Sequence, residues 1–73
     1  MLKEIRDSLQ GVPFLPFVIY TTDGREYAVP TVDHAHVYPN GSRVSIYTDD
    51  GHHYILPALL ISGIRVNEEQ TAG

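Results

Sequence analysis

Two periods of apolar spacing divide the chain. Leu2, Ile5 and Leu9 recur at helical intervals while Lys3, Glu4, Arg6, Asp7 and Gln10 fill the positions around them, which predicts a short helix over 2–10 with one apolar stripe. Gly11 and Pro13 stop it. A helix this short is unstable alone in water, so its stripe must lie on an apolar surface. From Phe17 the period changes to two, and Asp23-Gly24, Asn40-Gly41 and Asp49-Asp50-Gly51 punctuate the rest of the chain as hairpin turns. Asp-Gly and Asn-Gly supply the positive φ angles of a two-residue type I′ turn, while a three-residue loop ending in glycine commonly forms a type I turn with a bulge. Those turns predict strands over 17–22, 25–30, 35–39, 42–48 and 52–56.

Pro57 then ends a strand, 58–62 reads as one helical turn and 63–66 as a last strand. The expected fold class is mainly β: a short N-terminal helix followed by a five- or six-stranded small antiparallel β-barrel, because closure hides the edges that short strands expose. Val44, Ile46 and Thr48 alternate with Arg43, Ser45 and Tyr47, giving one strand an apolar inner face and a polar outer face. The expected core is Phe17, Ile19, Val29, Val37, Val44, Ile46, Leu56, Leu60, Ile61, Ile64 and Val66. Residues 1–66 form one domain without internal repeats, and 67–73, with Glu68 and Glu69 and no apolar residue larger than alanine, reads as a flexible tail.

Length adds a constraint. At 73 residues the chain buries about 60% of the surface its unfolded form exposes. Folds of this size draw reinforcement from disulfides, metals or oligomerisation, and the absence of cysteine leaves a homo-oligomer as the expectation. The charged start over 1–10 is unlike a signal peptide, and the apolar stretches 12–20 and 54–61 are short and broken by Pro13, Pro16 and Pro57, so a cytoplasmic protein without a membrane span is expected. Net charge is −4, with Lys3, Arg6, Arg25, Arg43 and Arg65 scattered singly, which disfavours simple electrostatic binding of RNA.

The order Leu9-Gln10, Pro13-Phe14-Leu15 and then 17–24, Phe-Val-Ile-Tyr-Thr-Thr-Asp-Gly, resembles the opening of Hfq-type Sm-like proteins, and the whole plan is similar to the Sm and SH3-like small barrels. The Pro-Phe-x-Pro-Phe-x-Ile opening and Asp-Gly hairpin over 13–23 also resemble a group of short uncharacterised bacterial proteins. The resemblance implies rings built by strand addition between subunits, and RNA contacts from a basic-aromatic signature near the second-last turn. The corresponding stretch here, 54–62, has no Lys-His pair, and the helix carries only Lys3 and Arg6.

Of the four histidines, His34 and His36 stand two apart, which on a strand sets both rings on one face and begins a metal site. His52 and His53 point to opposite faces of a strand two spacings away, roughly 9.5 Å, too far to share an ion held at about 2.0–2.1 Å. No metal site or cofactor is therefore expected within one chain, an interface site between copies stays open, and the plainer reading is exposed hairpin histidines. Asp49-Asp50-Gly51 lacks the ligand alternation of a calcium loop, and no phosphate loop or nucleophile elbow is present. A pocket of about 300 Å³ or more is rare in so small a barrel, so no enzyme activity is expected.

The five tyrosines, Tyr20, Tyr27, Tyr38, Tyr47 and Tyr54, serve equally as cross-strand packing, interface anchors or stacking platforms. The leading expectation is a non-catalytic assembly or protein-interaction module that self-associates through strand edges in the 42–48 and 52–56 region, with Val44, Ile46, Tyr47 and Tyr54 at the interface. The alternative is an Sm-like RNA-binding ring using Arg25, Arg43 and Tyr20, in which one arginine per subunit becomes a circle of positive charge.

Overall fold

A computed structural model describes residues 2–66; the expected tail lies outside the described residues. The protein is mainly β, with helix α1 (Leu2–Leu9) followed by strands β1 (Phe17–Thr21), β2 (Glu26–Val29), β3 (Ala35–Val37), β4 (Arg43–Tyr47), β5 (His53–Pro57) and β6 (Ile61–Val66). Short 3₁₀ turns, Val32–His34 and Ala58–Leu60, precede β3 and β6. The strands form two antiparallel sheets of three, ordered β2-β1-β6 and β3-β4-β5. The ladders of the two sheets do not join, so among the described residues hydrogen bonding closes no barrel.

Side chains hold the sheets together. Phe17 and Ile19 of β1, Val29 of β2, Val44 and Ile46 of β4, Leu56 of β5 and Ile61 of β6 form one buried cluster with Ile5 and Ala35. Ile5 is the buried centre of the helical stripe, and Leu2 and Leu9 pack beside it on the cluster. The polar side of the helix does more than face solvent, since the Arg6 guanidinium donates to the Tyr38 and Pro39 carbonyls at 3.0 and 3.3 Å and ties α1 to the β3–β4 turn.

Two expectations about burial are corrected. Leu60, expected in the core, is 44% exposed; it lies in the 3₁₀ turn, and its carbonyl accepts from the Thr22 amide at 2.8 Å. Ser45, expected on an open polar face, is only 1% exposed. It stands between His36 and Ile55 in the sheet register and donates to the Tyr38 hydroxyl at 3.3 Å, so the outer face of β4 is covered at its middle.

The turns are corrected as well. Among the described residues none other than glycine has positive φ, which excludes type I′ geometry at Asp23-Gly24 and Asn40-Gly41. Thr21 closes a three-residue loop in place of the two-residue turn, and Thr48 closes in the same way the three-residue loop expected at Asp49-Asp50-Gly51. Their amides donate to the Arg25 and His52 carbonyls at 3.0 Å in each case, their carbonyls accept from Gly24 and Gly51, and their hydroxyls donate to Asp23 and Asp50. Gly24 and Gly51, at φ +85° and +92°, take the left-handed position that ends each loop.

Candidate functional site

Each sheet ends in open strands, and the backbone alternation says which groups they offer. In an antiparallel pair, alternate residues face the partner and the others face away. Because Thr21 bonds Arg25, the pairs Ile19–Tyr27 and Phe17–Val29 face each other, and the N–H and C=O of Glu26 and Ala28 point off the edge of β2. In the same way Thr48–His52 and Ala58–Ser42 set Tyr54 and Leu56 toward β4, leaving His53, Ile55 and Pro57 on the edge of β5. Pro57 has no N–H to lose there, which explains its place in a strand.

The β5 edge is apolar as well as open. Ile55 is 48% exposed, Leu59 93%, and Leu60 and Tyr54 also reach solvent, so large apolar side chains follow one another from the edge strand into the 3₁₀ turn. β4, by contrast, is the central strand of its sheet and has no free edge, and Val44 and Ile46 are wholly buried. The interface expected over 42–48 therefore loses these two residues to the core. Tyr47 and Tyr54 fall on opposite faces: Tyr47 stacks on His53 at 4.5 Å on the outer face, whereas Tyr54, opposite Ile46, meets Tyr27 at 5.4 Å on the inner one.

That inner contact lies in a groove of about 450 Å³ lined by Arg25, Glu26, Tyr27, Ala28, Ile46, Thr48 and Tyr54. Four consecutive residues of one wall belong to the β2 end of the first hairpin, so the groove follows the open edge of β2 rather than a single face. The opposite wall is the inner face of the second sheet. Asp23 stands 3.5 Å from the Arg25 guanidinium of the groove's lining, and Asp50 accepts from the Thr48 hydroxyl and lies 3.0 Å from His52 Nδ1. The Thr48 hydroxyl and then His52 hold the Asp50 carboxyl down at about 2, and the Thr21 hydroxyl likewise lowers that of Asp23.

The histidines are dispersed. His34 sits in the 3₁₀ turn rather than in the strand, so strand alternation does not set it beside His36. Both of its ring nitrogens are engaged, Nδ1 with Thr31 Oγ1 and Nε2 with Asp49 Oδ1, each at 2.7 Å. β4 separates His36 from His53, and no group of three metal-ligating side chains occurs among the described residues. The nucleic-acid candidates also stay apart. Tyr20 is on the outer face of the first sheet, Arg25 is beside the first turn and Arg43 begins β4 of the other sheet. The arginine that Tyr20 does meet is Arg65, 5.9 Å over its ring, a pairing that the singly scattered charges did not signal.

No helix is long and apolar enough to cross a membrane among the described residues. No family model matches the chain, and no curated protein or solved structure matches it either.

Proposed function

We propose that this protein is a non-catalytic assembly module, a small β-barrel of the Sm or SH3-like type that self-associates through the β5 edge. The carrying observation is that Ile55, Leu59 and Leu60 lie exposed along one open strand and the turn after it. An edge strand with apolar side chains is a template for a second strand. A second copy laid antiparallel on β5 pairs backbone groups and covers the three side chains in one step, giving a twofold, self-complementary contact. Tyr47, stacked on His53 at the outer face, flanks this contact.

Light scattering on a size-exclusion column tests the reading. The parent protein is expected at a multiple of its 8.2 kDa chain mass, and the Ile55→Lys, Leu59→Glu double variant at the mass of one chain with a dispersed NMR spectrum retained. A parent that runs as a single chain at millimolar concentration ends the proposal.

A second reading, an RNA-binding ring, is favoured by one observation, the Arg65 guanidinium over the Tyr20 ring on the outer face of the first sheet. Such a pair stacks bases and neutralises phosphate. It requires RNA affinity that falls steeply with salt and is lost in Arg65→Gln.

A further inference from the structure

The groove along β2 has no part in self-association at β5 or in RNA binding at Tyr20 and Arg65. Its floor is Tyr27, Ile46 and Tyr54, and one wall is the free edge of β2, where the N–H and C=O groups of Glu26 and Ala28 project. A volume of about 450 Å³ suits a few residues of chain rather than a folded surface. Backbone groups spaced every second residue are what an extended strand recognises, and side chains that alternate along that strand reach the tyrosines. At one end Glu26 lines the groove and Asp23 stands 3.5 Å from the Arg25 guanidinium, two carboxylates against one cation, so that end is negative.

We propose that this groove binds an extended peptide, paired on the open edge of β2, with an aromatic or β-branched side chain against Tyr27, Ile46 and Tyr54 and a lysine or arginine at the Glu26 end. The acidic end selects against nucleic acid and for a basic flank. The partner is thus a protein segment of β-forming, positively flanked sequence. Its backbone pairs with β2, in the other sheet from β5, while Ile46 and Tyr54 meet it only with inner-face side chains.

The test is fluorescence polarisation with the amidated pentapeptide Val-Thr-Phe-Val-Lys, labelled at its N terminus, titrated with the full chain. Saturable binding is expected, and glutamate in place of the peptide's lysine abolishes it. Glu26→Gln is expected to weaken binding by roughly twofold to fivefold, the size of one exposed charge pair. Ala28→Pro removes one outward N–H without touching the β1 ladder, and weakens binding by about tenfold, the size of one lost hydrogen bond, while the light-scattering mass stays that of the parent.

Two versions of the peptide N-methylated at alternate amides give a check that needs no protein variant: one is expected to bind and the other not. Equal binding by both, peptide binding undiminished in a folded Ala28→Pro, displacement of the peptide by oligouridylate, or no saturation at all overturns the proposal. A drop in mass on Ala28→Pro overturns it too, since the β2 edge would then be joining copies of the chain.

Discussion

Val44 and Ile46 show what a single side chain carries in so small a core. Both are buried, and each is a member of the apolar cluster that also holds Ile5, Phe17, Ile19 and Val29. Ile46→Ala is expected to cost about 2–5 kcal/mol, read as a lowered urea midpoint, and an aspartate at Val44 is expected to leave the chain unfolded by NMR. Asp50 sets a dependence on pH. Its carboxyl is held at about 2 in the fold, chiefly by the Thr48 hydroxyl, against about 3.9 when unfolded. A lowered value stabilises above the unfolded pKa, so its contribution is complete above about pH 4 and fades as pH falls toward about 2. Asp50→Asn is expected to flatten that stretch of the acid-unfolding curve.

Residue identity alone told inside from outside only where one face of a strand is covered. The alternation of Val44 and Ile46 with their neighbours placed them correctly in the core, but it placed Ser45 outside. Nothing in a serine announces that Tyr38 reaches across the sheet to its hydroxyl. Arg6 reads as one more charge on a helix, yet it holds a turn 32 residues away, and His34 finds Asp49 across a separation of 15. Contacts of that kind join elements distant in the sequence, and local periodicity does not say which distant elements meet.

Among the helix and strands, the change of period from helical to alternating and the turn glycines sufficed to place each element within one to two residues. They gave the three-residue loop at Asp49-Asp50-Gly51 but missed the form of the turns at Asp23-Gly24 and Asn40-Gly41. Thr21-x-Asp23-Gly24 and Thr48-x-Asp50-Gly51 build the same loop from the same hydroxyl-to-carboxylate bond, so threonine three residues before glycine was the overlooked signal. Gly51→Ala places a Cβ at φ +92°. The change is expected to cost about 1–2 kcal/mol, seen as a lower melting temperature, and Gly24→Ala is expected to behave alike.

At the scale of the molecule, the decisive fact is that two three-stranded sheets meet through side chains and, among the described residues, leave the far edges of their outer strands without a neighbouring strand. Hydrogen-bonded closure of the expected barrel is not found among the described residues. Which edges stay open was not legible, because it depends on how far each short strand extends past its neighbour. If copies join at β5, folding and association are linked, and the melting temperature is expected to rise with protein concentration. A melt that is the same from micromolar to millimolar chain would argue for a stable single chain.

The alternation along the open strands also fixes a pattern in time. Hydrogen exchange at an amide slows only while that amide is bonded. On β2, Tyr27 and Val29 face a neighbour, whereas Glu26 and Ala28 do not; on β5, Tyr54 and Leu56 do, whereas His53 and Ile55 do not. Deuterium therefore enters each of these strands at every second residue. When another strand arrives, the fast positions become slow, His53 and Ile55 for a second copy and Glu26 and Ala28 for a peptide. The clock of each amide thus records which edge is occupied and leaves the other edge unmarked.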